Sequence, residues 1–414
     1  MTVSTASSQP LTRYHLLVFL GCWLGGMFDG MDSTLMTVVL PSAIGELTHS
    51  TAANTIGHYG SLVGSAFLFG WMLGGILIGM VGDRLGRVRS MILSITLYAV
   101  FTGLAGLSQT WWQLAICRFL TGLGIGGELV SITTFLAEVW PERSRSIAIG
   151  ILITSYQAGV LVAGAIVKMF PHWRTVFLIG ALPAVLTVFL RLTLRESDRW
   201  LESKQQSSED YRLLRELFRR EHRRNVTVGA VAFGGLLIGY WASLSWIPAW
   251  IQTFFTPPAG ASERAIATMW QGFAAVLGCS AAGWISDRIG RVPTIVISYT
   301  GCFMASALLF LTNDRFSDLI YAESALLGLF IGLAQAIMYI YLPELFPTRI
   351  RATAVGFCLN AGRLSTAVAV LFVGVIVRIL GGFAESAMLF ALAYLLAVLA
   401  AFWAVETKGK PLPA

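Results

Sequence analysis

Two short motifs occur twice in this sequence, in the same order. The first copy of one motif reads G-M-V-G-D-R-L-G-R at 79–87, and its second copy reads G-W-I-S-D-R-I-G-R at 283–291. The other motif reads A-E-V-W-P-E-R-S-R at 137–145 and P-E-L-F-P-T-R-I-R at 343–351. Both pairs are separated by about 205 residues, and chance rarely gives two coupled repeats with one spacing. The chain is therefore predicted to be a duplicated half.

Composition places both halves in a membrane. Of the 414 residues, 56% are hydrophobic and only 12% are charged, whereas a soluble domain carries about 25% charged residues. The net charge of +7 does not predict a nucleic-acid-binding face, because the basic residues lie in short loops between apolar runs. The five cysteines lie in apolar segments without metal-ligand spacing, so we expect neither a metal nor another cofactor. The polar N-terminus has no cleavage signal, which predicts a retained first span.

Twelve apolar segments reach the length of about 20 residues that a membrane span needs. They lie at 16–40, 58–81, 90–108, 112–136, 147–169, 174–194, 226–252, 264–286, 293–312, 319–342, 352–378 and 384–405. We therefore predict an all-α membrane protein with two pseudo-symmetric six-helix bundles. The N-terminal bundle covers 1–194, a cytoplasmic linker covers 195–225 and the C-terminal bundle covers 226–414. A duplicated hydrophobic half is typical of secondary transporters.

Lysine and arginine predict the orientation of these spans, since cytoplasmic loops of membrane proteins carry an excess of both. With both termini in the cytoplasm, only five of the 29 basic residues lie on the outer side. These are Lys168, Arg174, Arg264, Arg315 and Arg378. Within the linker, 211–220 reads either as an amphipathic helix on the inner leaflet or as a solvated connection.

The repeated motifs resemble those of the major facilitator superfamily over essentially the whole chain. The loops after spans 2 and 8 resemble its G-x-x-x-D-R-x-G-R signature, and R-F-L-T-G-L-G-I-G-G-E at 118–128 resembles its span 4 signature. R-E-S-D-R-W-L at 195–201 and E-T-K-G at 406–409 resemble elements of sugar-porter-like members, although the first lacks both prolines of P-E-S-P-R-W-L. The resemblance implies the twelve-helix major facilitator fold and a central site with alternating access.

Two further elements resemble one branch of that superfamily. F-D-G-M-D at 28–32 resembles the D-G-x-D element in span 1 of aromatic-acid, sialate and metabolite:proton symporters. N-A-G-R-L at 360–364 resembles a G-R element in span 11 of the same relatives. This resemblance implies proton-coupled uptake of an organic acid. Span 5 reads S-Y-Q-A-G-V-L-V-A-G and lacks the G-x-x-x-G-P-x-x-G-G of drug:proton antiporters, which counts against drug export.

Several charged residues stand out inside the predicted spans, where an ionised side chain costs at least about 2.5 kcal/mol on insertion scales. They are Asp29 and Asp32 in span 1, Arg118 and Glu128 in span 4, and Arg363 in span 11. Counted at about 1.5 Å per residue, Asp32, Arg118 and Arg363 lie nearly level at the midplane, with Glu128 nearer the inside. Asp29 and Asp32 share a helix face, so their repulsion predicts that one binds a proton near neutral pH. The predicted proton-coupling residues are Asp29, Asp32 and Glu128; a structural or gating use of Glu128 and a structural role of the two aspartates stay open.

The repeat separates these midplane charges from the loop charges. The charges of the repeated loops are duplicated between the halves, whereas those of the midplane are not: Asp32, for example, falls on Leu237. A duplicated charge suits a scaffold role in both bundles, while an unduplicated charge suits a substrate or a proton, which needs one site. Gln157 is the pseudo-symmetric counterpart of Arg363.

Arg363 is predicted to bind the carboxylate of an anionic substrate, because a guanidinium fork fits a carboxylate. Arg118 either assists in substrate binding or neutralises the acids of span 1, and a permanent ion pair that fixes bundle packing is an open alternative. Further candidates for the lining are Gln157, Tyr240, Trp241, Trp246, Gln271, Gln335, Tyr339 and Asn360. Helix–helix hydrogen bonds and interfacial aromatic positions explain each of these about as well.

The duplicated loop charges are predicted to form inter-helix charge networks at the inner surface that stabilise the outward-open state. They would control the transition between states without binding substrate. These gating residues are Asp83, Arg84, Arg87, Glu138, Arg145, Asp287, Arg288, Arg291, Glu344 and Arg351.

Together these observations predict a proton-coupled symporter that takes up a small organic anion, as a monomer in the lipid bilayer of a bacterial inner membrane. A neutral sugar:proton symporter is the main alternative, although it explains Arg363 poorly. A proton-linked exporter of the same fold and a nutrient receptor that binds without transport stay open. The sequence shows no nucleophile–base set, metal spacing or P-loop, so neither an enzyme nor an ATP-driven pump is predicted.

Overall fold

The computed structural model describes residues 11–50, 53–170, 172–206, 213–242, 247–255, 261–380 and 382–413. All the regular secondary structure in these ranges is helical. The first half contains α1 Arg13–Leu47, α2 Ala53–Leu85, α3 Arg87–Ala105, α4 Trp111–Val139, α5 Arg145–Met169, α6 Trp173–Ile179 and α7 Pro183–Thr193. The last two helices together make the sixth crossing. The helix is interrupted between them, because α6 ends before Gly180 and α7 starts at Pro183, whose ring fixes its φ angle.

Two short helices connect the halves, α8 Asp198–Gln206 and α9 Leu213–Leu217. The segment 211–220, which reads either as an inner-leaflet helix or as a solvated connection, begins outside the described residues. The second half then contains α10 Arg220–Ala242, α11 Ile247–Gln252, α12 Ala261–Ile289, α13 Arg291–Leu311, α14 Leu319–Glu344, α15 Arg351–Leu380 and α16 Phe383–Ala401. Helices α10 and α11 together correspond to the predicted seventh span, with α10 beginning six residues before it, so this half also supplies six crossings.

Eight helices of the described chain are long and apolar enough to cross a membrane by length and composition: α2, α3, α4, α5, α12, α13, α14 and α16. The charge-bearing helices α1 and α15 are 35 and 30 residues long. At about 1.5 Å per residue, both exceed the roughly 30 Å of a bilayer core.

Glycines set the closest helix contacts, at equivalent places in both halves. A Cβ atom added at Gly122 or Gly126 of α4 would collide with the backbone of α2. A Cβ atom at Gly328 or Gly332 of α14 would collide with the backbone of α12 in the same way. Small residues let helix backbones approach in a membrane, where close packing stabilises association. The glycine-rich span 4 motif therefore serves packing, and the C-terminal half repeats the arrangement.

The two helices that follow the repeated loops are also capped in the same way in both halves. Gly86 and Gly290 precede α3 and α13 with φ angles of 112° and 106°, a conformation that suits glycine. Glu196 accepts hydrogen bonds from two amides of the first turn of α3, at 3.1 Å each. Glu406 does the same for α13, accepting from Arg291 at 2.9 Å and from its neighbour at 3.0 Å. The sugar-porter-like elements around 196 and 406 thus anchor the linker and the C-terminal tail to the loops.

Candidate functional site

A cavity of about 90 Å³ lies between the two halves. Helices α2, α4 and α5 line it from one side, and α10, α14 and α15 line it from the other. Its walls consist of Trp71, Leu129, Ile153, Tyr156, Gln157, Phe233, Leu236, Leu237, Tyr240, Trp241, Ile331, Gln335, Tyr339 and Arg363. The wall is therefore mostly aromatic and aliphatic, with one guanidinium and two amides as its strongest polar groups. Such a wall suits a small, largely apolar ligand with an anionic end.

Six of the predicted substrate-binding residues line this cavity. They are Arg363, Gln157, Gln335, Tyr339, Tyr240 and Trp241. The remaining three, Arg118, Gln271 and Asn360, do not belong to its walls. The backbone of Gln271 packs against Gly328 of α14, which is a packing position. Trp246 lies outside the described residues.

Arg363 is the only cation in the described cavity wall. Its Nε donates a 2.8 Å hydrogen bond to the Asn360 side chain, which in turn donates to the Gly356 carbonyl at 2.8 Å. The guanidinium carbon lies 4.2 Å from the centre of the Trp71 ring. No carboxylate of the described residues lies within 4 Å of this guanidinium. Asn360 therefore orients Arg363 from behind, and the Trp71 face supports it without neutralising its charge.

Arg118 and Asp32 form a fully buried ion pair outside the cavity. Both side chains are fully buried, and the Arg118 Nη1 lies 3.2 Å from the Asp32 Oδ2. The Thr102 hydroxyl donates to the other oxygen of Asp32 at 2.5 Å and accepts from Arg118 at 3.0 Å. Phe177 covers the guanidinium at 4.6 Å. Each charge is thus compensated, as a buried charge requires.

Asp29 and Glu128 form a second buried group, of two carboxyls that make no ion pair with a described cation, although the charge of Arg363 acts on Asp29 from a distance. Both residues are fully buried, and their side chains lie within hydrogen-bonding reach of each other. In the described part of the chain no nitrogen donates to either carboxyl, and the Tyr98 hydroxyl of α3 lies within reach of Glu128. The Glu128 carboxyl lies against Gly25 of α1, where any larger residue would displace it. The two aspartates of α1 therefore have different partners, although they lie on one helix.

One end of the helix bundle, predicted to be the inner one, carries the repeated loops as two charge networks. The first loop network comprises Asp83, Arg87, Glu138 and Arg351. Arg87 contacts Asp83 at 2.8 Å and Glu138 at 2.9 Å, and Arg351 of the other half contacts Glu138 at 2.8 Å. Arg87 also donates to the Thr348 carbonyl at 2.6 Å. Asp83 accepts from two amides of the first turn of α15, at 3.1 and 2.7 Å.

The second loop network comprises Asp287, Arg291, Glu344 and Arg145. Arg291 contacts Asp287 at 2.8 Å and Glu344 at 3.0 Å. Arg145 of the first half reaches Glu344 at 3.8 Å, and Arg291 donates to the Ser146 hydroxyl at 2.7 Å. The two networks together join the halves at the end of the bundle that carries the repeated loops.

Two other predicted gating residues have different surroundings. Arg288 stacks on the Trp284 ring at 3.7 Å, and its carbonyl accepts from Lys408. Arg84 lies in the last turn of α2 and belongs to neither network as defined here.

Sequence reasoning missed the aromatic half of the cavity wall. Trp71, Tyr156 and Phe233 lie in apolar spans in which an aromatic side chain faces lipid or the core equally often. Tyr156 directly precedes Gln157, so the pseudo-symmetric pairing of Gln157 with Arg363 points to the right turn of α5. For Trp71 and Phe233 the sequence carries no comparable signal.

Comparisons with known proteins agree with this geometry. The sequence profile of the Major Facilitator Superfamily matches residues 22–321 and 260–414. A "Probable 4-methylmuconolactone transporter" of Cupriavidus pinatubonensis is 29% identical, covering 94% of this chain and 90% of its own. The "Cis,cis-muconate transport protein" of Acinetobacter baylyi is 28% identical, covering 86% of each chain. The solved structure of a proton:xylose symporter bound to 6-bromo-6-deoxy-D-glucose has a TM-score of 0.83 at 18% identity, covering 96% of this chain and 98% of its own.

The chain belongs to the Major Facilitator Superfamily. Its predicted fold, twelve transmembrane helices in two pseudo-symmetric six-helix bundles, is confirmed. It is a multi-pass integral membrane protein of a transporter family that binds small molecules. Because the family and the relatives are transporters, the prediction that the chain is not an enzyme is also confirmed.

Proposed function

We propose that this transporter takes up a small organic anion together with protons, by alternating access. The observation that carries the proposal is Arg363, a cation in an aromatic cavity with no described carboxylate beside it. A cation in a mostly apolar wall is costly without a counter-charge in contact, so a substrate carboxylate is its natural complement. The muconate and methylmuconolactone relatives support an organic acid as cargo.

The substrate carboxylate would bind the terminal nitrogens of Arg363, since the Nε already donates to Asn360. Gln157 and Gln335 would bind further polar groups of the substrate from the two sides of the cavity. Tyr339, Tyr240 and Trp241 would contact its apolar body. A planar, unsaturated acid fits such walls, because aromatic side chains stack on flat faces. Within this proposal Arg118 keeps to its ion pair with Asp32 and does not touch the substrate.

The Asp29–Glu128 pair is proposed as the main proton site. Two carboxyls in contact cannot both be ionised without strong repulsion, so the pair holds a proton that it can release when its surroundings change. Asp32 would exchange a proton only when its bond to Arg118 opens. Either site changes the net charge beside the cavity by one unit, which links proton binding to the binding of an anion.

The two loop networks would set the direction of opening. They join the halves at the inner surface, so both must break before the cavity opens to the cytoplasm. We further propose that one chain suffices for transport, with a domain division at 1–194, 195–225 and 226–414. Both termini would lie in the cytoplasm of a bacterium whose inner membrane contains the protein, in keeping with the few outer basic residues.

The test is uptake by purified protein in liposomes with an imposed inward proton gradient. Cis,cis-muconate, aromatic carboxylates, sialate and hexoses are offered in parallel. We expect a carboxylate to accumulate, and Arg363→Gln to raise its KM by at least about tenfold, equivalent to ~1.4 kcal/mol. Arg363→Lys keeps the charge but loses the planar fork, and should be intermediate.

A second pair of variants tests the proton site. Asp29→Asn and Glu128→Gln should keep exchange of internal for external substrate but lose accumulation driven by the proton gradient. Accumulation of hexoses alone, or normal carboxylate uptake by Arg363→Gln, would contradict the anion site. Full gradient-driven accumulation in both carboxyl variants would contradict the proton site alone.

A further inference from the structure

Tyr156 connects the cavity to the helix that carries the buried acids. Its ring lines the cavity from α5, and its hydroxyl lies 2.9 Å from the hydroxyl of Ser33 on α1. Ser33 directly follows Asp32 in the sequence and is itself buried. One hydrogen bond thus joins the cavity wall to the segment of α1 that bears both aspartates.

The direction of this bond follows from the other contacts of Ser33. The Ser33 hydroxyl lies 2.9 Å from the Asp29 carbonyl and 3.2 Å from the Gly30 carbonyl, both of which can only accept. A serine hydroxyl has a single hydrogen, which these carbonyls take. The Tyr156 hydroxyl is therefore the donor to Ser33 in this arrangement.

The backbones of α1 and α5 are in direct contact at the same height. A Cβ atom at Gly30 would collide with the backbone of Tyr156, and one at Gly159 would collide with α1 around Met27. With no side chain between the helices, a shift of the Tyr156 backbone is passed directly to α1. Helix pairs packed this closely move as a unit or slide in discrete steps.

We propose that Tyr156 is the residue that couples substrate binding to the proton site, an inference that rests on the proposed function. In the empty carrier its single hydroxyl hydrogen goes to Ser33. A substrate carboxylate on Arg363 is a stronger acceptor than a neutral hydroxyl, so it takes that hydrogen. The Ser33 segment of α1 then loses one of its ties to α5, and the surroundings of Asp29 and Asp32 change.

Several charged and titratable groups surround the Ser33 segment of α1, and the loss of the Tyr156 bond would alter their surroundings. Asp29 faces Glu128 of α4, and the Tyr98 hydroxyl of α3 lies against Glu128. Asp32 faces Arg118 of α4. Arg363 of α15 is near enough for its charge to act on Asp29, although the two side chains form no ion pair. Tyr156 is a positioning residue for the protons, since it touches neither carboxyl, and a binding residue for the substrate.

Tyr156→Phe tests the proposal in the same liposomes, with Tyr339→Phe as the matched control. Both variants remove one hydroxyl from the cavity wall, but Tyr339 lies on α14 of the other bundle, where its ring packs on Phe233. Three readouts are needed: substrate exchange without a gradient, accumulation driven by the proton gradient, and the pH dependence of substrate affinity. In a coupled carrier each ligand strengthens the other by the same factor, on the order of 5- to 150-fold.

We expect Tyr156→Phe to exchange substrate, with a moderately raised KM, but to accumulate little of it. The gain in its affinity on acidification should shrink towards none. Tyr339→Phe should raise KM and keep both the accumulation ratio and the pH dependence. Ser33→Ala keeps the Tyr156 hydroxyl for the substrate and breaks only the tie to α1, so it should reproduce the loss of coupling with a near-normal KM.

The outcomes separate this inference from the proposed function. If the unaltered protein shows no gradient-driven accumulation of any carboxylate, the proposed function falls and the coupling role falls with it. If the unaltered protein accumulates substrate and both Tyr156→Phe and Ser33→Ala do so equally well, only the coupling role is wrong. If Tyr156→Phe is inactive in exchange as well, Ser33→Ala decides: normal coupling there would overturn the proposal.

Discussion

The first and second loop networks come from the same repeated motifs but differ in the burial of their side chains and in the length of their contacts. In the first, the side chains of Arg87, Asp83, Glu138 and Arg351 are all fully buried. In the second, Asp287 is 33% exposed. The contact that crosses between the halves is 2.8 Å from Arg351 to Glu138 but 3.8 Å from Arg145 to Glu344. Duplication thus gives both networks the same charges, while burial decides how strongly each charge holds the two halves together.

The same difference appears at the helix that each loop faces. Asp83 receives two amide hydrogen bonds from the first turn of α15, where a carboxylate also interacts favourably with the helix dipole. Among the described contacts Asp287 has no such bonds with α5, and Arg291 instead donates to Ser146. The first network therefore joins the halves through the backbone, and the second joins them through side chains.

The largest difference between the two networks is expected when the glutamate at the centre of each is replaced. Glu138→Gln leaves Arg87 and Arg351 buried without their shared anion, which should destabilise the inward-closed state by about 3–5 kcal/mol. Glu344→Gln should cost clearly less, since its cross-bundle contact is longer. The measurement is labelling of Ile331→Cys by an impermeant thiol reagent from the cytoplasmic side, compared between the two variants. Equal labelling would show that burial does not rank the networks.

A smaller difference is expected for the two aspartates of the repeated loops. Asp83→Asn weakens its bonds to Arg87 and to the first turn of α15, at a cost of about 1–2 kcal/mol. Asp287→Asn removes a partly solvated ion pair, worth about 0–1 kcal/mol. The rate of substrate exchange, measured with matched amounts of folded protein, reports the balance between states. A larger effect from Asp287→Asn than from Asp83→Asn would reverse the ranking of the loops.

These networks could be predicted from the sequence, whereas the partners of the midplane charges could not. The motif repeat fixes which loop residues are equivalent, and loops at one membrane surface must lie at one height. Within the bilayer, residue counting gives height but not the rotation or tilt of a helix. It therefore placed Asp32 level with Arg118, as in the structure, but did not predict that Asp29 turns to Glu128.

The cavity shows the same limit. Arg363 and Gln157 stand out because a polar group in an apolar span is costly and needs a reason. Trp71 and Phe233 are as acceptable to lipid as to a ligand, so only the packed structure assigns them to the wall. Asn360 was expected to contact the substrate, but it contacts Arg363, because a side chain one turn away on the same helix can reach its neighbour.

The smallest effects are expected where the two halves are most alike, at the carboxylates that cap α3 and α13. Glu196→Ala and Glu406→Ala each remove two amide bonds, and each should lower stability by about 1 kcal/mol. Burial would raise the pKa of Glu406, but the amides of Arg291, Lys408, Val292 and Thr407 together outweigh it and lower that pKa. A carboxylate with a lowered folded pKa stabilises above its unfolded value, about 4.3, and loses this as pH falls through the folded pKa.

Thermal unfolding of the detergent-solubilised protein at neutral and acidic pH measures this effect. Glu406→Ala should lower the midpoint at neutral pH, and its difference from the unaltered protein should shrink as the pH falls through the lowered folded pKa of Glu406, because both proteins then lack the charge. Glu196→Ala is the matched variant in the other half, and similar losses at neutral pH are expected. Each cap holds a loop that carries one of the two networks. Unequal losses of stability would therefore mean that the difference between the networks extends to their caps. It would then not be confined to the charges that cross between the bundles.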